Sequence, residues 1–224
     1  MKTIVWCVLL LMLLTDGYAQ LVRKKDYDAA FALQAGGETG ILTSFRDMKM
    51  AVTPVGGLKM TFPFSRKWFL GSEVNYSRLK YSFSDEIAAS QGADFDIKQL
   101  QVPVYLKYML NSNRASVLFG FYGTYVLDAT LHSSMSGTET ASDAGVLNQN
   151  GILDYSPMMD TWNAGITIGY ELRIIKHMNV MCRVSGGMKN VLKSQDMFGK
   201  KLYPIQATIT LSYDIFRIGD CGCD

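Results

Sequence analysis

The sequence predicts an all-β protein, an eight-stranded antiparallel up-and-down transmembrane β-barrel. Residues 161–174 alternate without exception between apolar side chains at even positions and small, polar or charged ones at odd positions. This period of two is that of a β-strand, and eight segments of the chain show it. Short and long connections alternate between the segments, as in barrels of the bacterial outer membrane.

The first 19 residues have the pattern of a secretory signal peptide. Lys2 precedes an apolar run at residues 4–14, and the small residues Gly17 and Ala19 lie where a signal peptidase reads the chain. The run is too short to cross a membrane as a helix. We expect cleavage after Ala19.

The charge and hydropathy of the chain after residue 19 limit the classes of protein to which it can belong. The full sequence has 22 basic and 20 acidic residues, and removal of the leader deletes one of each, so the net charge stays at +2. This near balance argues against nucleic acid as a partner. Beyond the leader no apolar stretch reaches the ~18 residues of a transmembrane helix, so a membrane protein would have to be a barrel. We expect a barrel domain at residues 20–216 and a periplasmic tail at residues 217–224.

The first four strands are predicted at residues 31–41, 55–64, 68–76 and 98–110. Arg78, Lys80 and Lys98 share the parity of the apolar face, where each would cost about 2 to 4 kcal/mol at the bilayer midplane. The membrane is therefore expected to end near Tyr76. Pro103 has lumen parity, and it requires either water or a bulge because it cannot donate a ladder hydrogen bond.

The last four strands are predicted at residues 117–131, 161–174, 180–189 and 205–215. The short connections lie near residues 65–67, 111–115 and 175–178, and the long ones near residues 43–52, 84–95, 133–160 and 193–202. Short periplasmic turns and long surface loops give a cell outer membrane location with both mature chain ends in the periplasm.

Aromatic residues are expected to form two membrane-interface girdles. The predicted periplasmic girdle contains Phe64, Trp68, Tyr108, Tyr170, Tyr213 and Phe216, and the predicted outer girdle contains Tyr76, Trp162 and Tyr203.

Two motifs give a family resemblance. The hairpin at residues 57–76, GLKMTFPFSRKWFLGSEVNY, and the strand at residues 100–110, LQVPVYLKYML, resemble the PorT-like outer-membrane β-barrel family. The resemblance extends over most of residues 31–216. It implies a small eight-stranded barrel in the outer membrane of Gram-negative bacteria. The namesake of the family is associated with a protein-secretion system, but no residue of this sequence indicates that role.

Charged and polar residues with lumen parity are the first candidate site. This predicted lumen network contains Glu38, Lys59, Glu73, Lys107, Asp128, Glu171, Arg173, Arg183, Lys189 and Asp214. An eight-stranded barrel is only wide enough for its side chains, so these charges must pair or be hydrated. We interpret them as a polar plug, with a narrow ion path as the alternative.

His132 is the only histidine suited to catalysis, because Asp128, Thr130 and Ser133 are close to it in sequence. Such a set could serve acyl transfer on lipid. However, the lumen parity of these residues points away from lipid, so a hydrogen-bonding rim histidine is the preferred interpretation.

The remaining polar features predict little chemistry. The loop at residues 133–160 is acidic and has no lysine or arginine, which indicates a solvated surface loop or a contact with a partner or cation. Cys221 and Cys223 lie in the tail, where a strained disulfide, metal binding or no role are the alternatives. We expect no catalytic residues, no metal and no cofactor.

The preferred hypothesis is a monomeric, non-enzymatic barrel that acts as an envelope scaffold, a surface-binding module or an accessory to protein secretion. Its expected partners are outer-membrane lipid and envelope or secretion-machinery proteins. The alternatives are a lipid-modifying barrel enzyme with a rim site near His132, and a soluble lipocalin-like carrier with an apolar interior.

Overall fold

A computed structural model describes residues 29–43, 48–65, 67–83, 93–110, 114–133, 152–154, 159–191 and 203–218. These residues form ten β-strands. The strands are β1 (Ala29–Leu42), β2 (Met48–Met50), β3 (Thr53–Pro63), β4 (Trp68–Phe83), β5 (Ala93–Met109), β6 (Ala115–Ser133), β7 (Ile152–Asp154), β8 (Trp162–Ile175), β9 (Met178–Gly187) and β10 (Pro204–Ile218).

The eight long strands form a closed antiparallel barrel, which confirms the predicted fold class. Each pairs with the next long strand along the chain, and β10 returns to pair with β1, so that Leu33 lies opposite both Leu58 and Tyr213. The three-residue strands β2 and β7 add only to the ends of β4 and β6. Among the described residues, no helix is long and apolar enough to cross a membrane.

The two ends of the barrel differ in their connections. At one end, called the turn end, β3 joins β4, β5 joins β6 and β8 joins β9 through short turns near residues 64–67, 110–114 and 176–177. The other end, called the loop end, carries the longer connections. Strands β4, β5 and β6 extend further toward the loop end than the sequence predicted. The added residues were left out because they do not continue an apolar outward face.

A bulge in β6 changes the alternation of that strand. Lys98 pairs with Asp128, whereas the next residue of β5, Gln99, pairs with Val126, so Leu127 is the extra residue. An extra residue reverses which side chains face inward. Pro103, by contrast, causes no register shift. The β4–β5 ladder has the same register on both sides of this residue.

Two lumen glycines accommodate Tyr105. A Cβ atom at Gly71 would lie 2.2 Å from the Tyr105 ring, and one at Gly120 would lie 2.6 Å from the Tyr105 Cβ. The ring therefore packs over Gly71, and Gly120 leaves room for the start of the same side chain. This packing allows a large tyrosine into a barrel whose interior is only as wide as its side chains.

Candidate functional site

The lumen is mainly polar over the part of the barrel between the turn end and the level of Tyr76, which we call the membrane section, although Tyr105, Leu118 and Met181 form a small apolar cluster there. Its inward residues Asn75, Gln101 and Thr167 are fully buried, while outward residues such as Ile168 and Leu211 are exposed. An apolar outer face around a polar interior suits a strand between lipid and a polar lumen. It is the reverse of the apolar interior that a lipocalin-like carrier requires.

Glu171 connects two lysines near the turn end. Its carboxylate oxygens lie 2.5 Å from Lys59 Nζ and 2.6 Å from Lys107 Nζ, and all three side chains are buried. The Lys107 ammonium group also lies 5.7 Å from the centre of the Phe69 ring. This Glu171 cluster links β3, β5 and β8, and its close ion pairs offset the cost of removing the charges from water.

Glu73 is the centre of a second cluster, deeper in the lumen. Arg183 Nη1 lies 2.7 Å from its Oε2 atom, and the Tyr105 hydroxyl donates to Oε1 at 2.7 Å. Gln34 and Asn75 each donate to Oε2 at 2.9 Å. The carboxylate thus accepts four hydrogen bonds, as a buried charge requires.

The Glu73 cluster continues across the barrel through glutamines. Arg183 Nη2 donates to Gln101 at 2.9 Å, and Gln101 donates to Gln206 at 2.8 Å. Gln206 in turn donates to Gln99 at 3.5 Å, which donates to the Ser77 hydroxyl at 3.1 Å. Side chains of β1, β4, β5, β9 and β10 are therefore joined in one network that crosses the lumen. The neutral members of this network were missing from the sequence prediction, which selected charged residues only.

Glu38 is buried at the loop-end side of the Glu73 cluster, and neither of its carboxylate oxygens has a hydrogen-bond partner among the residues that the structure describes. Within the same residues, the hydroxyl groups of Tyr81, Tyr122 and Thr208 also lack partners. A cavity of about 20 Å³ lined by Tyr81 lies on this side of the lumen, which is room for one water molecule.

The lumen becomes apolar beyond Glu38. Eight buried residues from several strands and loops form a single cluster, which we call the loop-end core. Its members are Leu42, Leu79, Tyr81, Phe95, Ile97, Ala129, Met159 and Val191. This core was not predicted from the sequence, because the inward residues were expected to be polar along the whole lumen.

Two residues lie outside the lumen, contrary to their predicted positions. Asp128 lies on the outer wall and pairs with Lys98 at 2.7 Å, because the bulge in β6 reverses the alternation beyond Leu127. Lys189 follows the end of β9 and pairs with Asp160 at 2.5 Å, with 57% of its side chain exposed.

The other predicted lumen residues lie at the turn end. Asp214 is buried and accepts hydrogen bonds from Arg217 Nη2 at 2.7 Å and Asn179 Nδ2 at 3.3 Å. Arg173 lines the same small cavity of about 30 Å³ at the mouth of the barrel as Asp214. Salt bridges and hydrogen bonds therefore line this mouth, and the cavity has room for about two water molecules.

The predicted girdle aromatics lie on the outer wall. Phe64, Trp68, Tyr213 and Phe216 are exposed near the turn end, where the Trp68 and Tyr108 rings are 4.8 Å apart. Nearer the loop end, Tyr76 and Trp162 are exposed, and Trp162 contacts Tyr125 with ring centres 5.0 Å apart. Tyr170 and Tyr203 are partly buried.

The other features considered in the sequence are His132, the acidic loop and the cysteine-containing tail. The side chain of His132, the loop at residues 134–151 and the tail with Cys221 and Cys223 lie outside the described residues. Within the described ranges, no group of three or more histidine, cysteine, aspartate or glutamate residues could hold a metal ion.

A closed eight-stranded barrel with an apolar outer face and a polar lumen defines a small outer-membrane β-barrel. The sequence of residues 23–193 matches the family described as outer membrane protein beta-barrel domain. The protein belongs to this family, and it is an outer-membrane barrel protein. No curated protein matches the sequence.

Several solved structures are similar in fold at low identity. Neisserial surface protein A is 10% identical, with 83% of this chain and 96% of that chain covered at a TM-score of 0.49. OprG of Pseudomonas aeruginosa is 14% identical, with coverages of 85% and 98% and a TM-score of 0.46. Ail of Yersinia pestis is 11% identical, with coverages of 83% and 97% and a TM-score of 0.45.

Proposed function

We propose that this protein is a sealed, non-enzymatic outer-membrane barrel, whose outer wall and loops carry its role. That role is an envelope scaffold, a surface-binding module or an accessory to a protein-secretion system. The main supporting observation is the Glu73 cluster, because it crosses the lumen from wall to wall. The loop-end core and the salt bridges at the turn end then close the two mouths.

The arrangement of the polar groups supports a structural role for the lumen. Glu171, Glu73 and Asp214 are each held by close cationic partners, and Asp128 lies on the outer wall in an ion pair with Lys98. A carboxylate held in such an ion pair stabilises the barrel. It is not placed beside a cavity where it could act on a substrate as an acid or a base. The motifs at residues 57–76 and 100–110 support a place among PorT-like barrels.

The orientation completes the proposal. The signal peptide is removed after Ala19, the short turns and both chain ends lie in the periplasm, and the loop end faces outward. Amino-terminal sequencing of the mature protein tests the cleavage. Protease treatment of intact cells tests the orientation, because an epitope inserted at residues 84–92 should be removed whereas one after residue 224 should be protected.

Conductance across a planar lipid bilayer tests the sealed lumen. The refolded protein should show no channel events, while its mobility on an SDS gel should still change on boiling, as expected of a folded barrel. Steady conductance from heat-modifiable protein would overturn the plug and support the ion path.

Crosslinking in the native membrane tests the role. A photoreactive residue at Val52, which is exposed near the loop end, should capture the same envelope protein in repeated experiments. The matched position is Ile168, which is exposed on the apolar outer face and should yield lipid adducts only. The scaffold role fails if both positions give the same products.

A further inference from the structure

Three cations lie side by side on the outer wall, just beyond Tyr76. Arg78 and Lys98 are direct neighbours across the β4–β5 ladder, and Lys80 lies two residues further along β4. Their side chains share the outward parity of Tyr76. Like charges directly opposite one another on a sheet repel, so this position requires nearby anions.

The protein supplies only part of the compensating charge. Arg78 Nε donates to both Asp96 carboxylate oxygens, at 2.8 and 2.7 Å, and Lys98 donates to Asp128 at 2.7 Å. The Asp128 carboxylate raises the pKa of the Lys98 ammonium group mainly through this hydrogen bond. Lys80 is exposed and makes no ion pair with the part of the chain that the structure describes. Among the side chains that the structure describes here, three cations thus face two carboxylates.

The charged cluster stays open to its surroundings. The side chains of Arg78 and Lys98 are 44% and 42% exposed despite their ion pairs. Each therefore keeps donors that point outward. Asp96 is almost fully covered, so it holds the Arg78 guanidinium group without shielding its outer edge.

The height of the cluster is that of lipid headgroups. Tyr76 pairs with Leu100 two residues before the Arg78–Lys98 pair, and Val74 and Val102 are exposed on the same outer face below. Aromatic side chains mark the membrane interface. Arg78 lies about 7 Å beyond Tyr76 along the strand, at ~3.3 Å per residue, which is the depth at which long cationic side chains reach the headgroups.

We propose that Arg78, Lys80 and Lys98 bind the phosphate group of a lipid headgroup in the leaflet at the loop end. Guanidinium groups match phosphate oxygens in a two-point arrangement, and ammonium groups add point charge. The unbalanced positive charge supplies the attraction, and the aspartates hold the cationic side chains in place. The inference rests on the proposed outward placement of the loop end.

Lipid A, a phosphorylated glycolipid, is the probe. The refolded full chain in zwitterionic detergent is titrated with lipid A, and binding is read from the bound fraction in native mass spectra. Lys80→Gln should weaken binding about fivefold, the effect of one basic residue near an anionic surface, and it breaks no ion pair. Asp128→Asn should strengthen binding, because it adds one net positive charge beside Lys98.

Lys176→Gln is the matched control, because Lys176 is an exposed lysine in a turn at the opposite end. It should leave lipid A binding unchanged. Equal losses in Lys80→Gln and Lys176→Gln would overturn the site, as would unchanged binding in Lys80→Gln. Equal competition by free inorganic phosphate at the same concentration would overturn the lipid assignment. Gel mobility and bilayer conductance of the same samples report separately on the sealed barrel.

Discussion

The barrel has two sections with opposite polarity. In the membrane section Glu73 and Asn75 face inward and Val74 faces outward, whereas beyond Tyr76 the inward residue Leu79 is apolar and its neighbour Arg78 is charged. The alternation of β4 is unbroken across this change. Odd and even positions along β4 therefore determine which residues share a face. They do not determine which of the two faces is apolar, because that changes beyond Tyr76.

The change in polarity coincides with the predicted membrane boundary near Tyr76. It falls between Tyr76 and Arg78 on β4 and between Leu100 and Lys98 on β5, and these are neighbouring cross-strand pairs. Two adjacent strands therefore place the boundary at the same height. The loop-end core lies behind an outer wall that carries Arg78 and Lys98, so this section has apolar residues inside and charged residues outside, as a soluble protein has.

Breaking the Glu171 cluster should give the largest loss of stability. Glu171→Ala leaves Lys59 and Lys107 buried without their anion, and removal of one partner from a buried ion pair costs about 3 to 5 kcal/mol. The midpoint of urea unfolding in lipid vesicles should fall accordingly, with the whole barrel affected.

A triple replacement is the control for the Glu171 cluster. Glu171→Leu combined with Lys59→Met and Lys107→Met removes the charges together, and an apolar replacement of this kind is often neutral. The triple variant should regain most of the urea midpoint that is lost in Glu171→Ala. An unchanged midpoint in Glu171→Ala alone would show that the cluster is hydrated and contributes little.

Truncation in the loop-end core should cost somewhat less and act locally. Leu79→Ala removes a fully buried side chain, which costs about 2 to 5 kcal/mol for leucine. Hydrogen exchange should accelerate at the loop-end amides of β4 and β5, while the turn end stays protected and the gel mobility still changes on boiling. Leu127→Ala is the matched control, since Leu127 is half exposed on the outer wall. Uniform acceleration along all strands would contradict two separable sections.

The two sections also differ in how well the sequence predicts them. In the membrane section, strict alternation over eight strands predicted the closed barrel, its apolar outer face and the inward direction of Glu73 and Glu171. Alternation cannot show which charges meet, because Arg183 reaches Glu73 across the barrel from 110 positions away. The position of Tyr105 also depends on the missing side chains at Gly71 and Gly120.

At the loop end the sequence analysis was less successful. The outward charges Arg78 and Lys98 led to the prediction that the lipid-facing wall ends near Tyr76, but the apolar inward residues beyond them were not interpreted as a core. Asp128 was assigned to the lumen because a one-residue bulge has no signature in alternation alone. Leu127, Asp128, Ala129 and Thr130 continue the apolar and polar alternation of the preceding strand, so the sequence carried no signal of the bulge.

A clash at Gly71 should have a moderate effect on the membrane section. Gly71→Ala places a methyl group within 2.2 Å of the Tyr105 ring, and such overpacking costs about 1 to 3 kcal/mol. Gly123→Ala is the matched control, because an added Cβ there meets nothing within 4 Å. In a double-mutant cycle with Tyr105→Leu the Gly71 effect should shrink. Additive effects would show that the ring can move aside.

The smallest effect is expected from the exposed ion pair of Lys189 and Asp160 at the loop end. Lys189→Ala should lower the free energy of unfolding by only about 0.2 to 1 kcal/mol, because water already solvates the exposed ammonium group. Salt separates this pair from the Glu171 cluster. In 1 M salt the Debye length falls to about 3 Å, so the Lys189→Ala effect should disappear while the Glu171→Ala effect persists, since its charges are buried. If salt removed both effects equally, the lumen of the membrane section would have to be as accessible to ions as the outer surface.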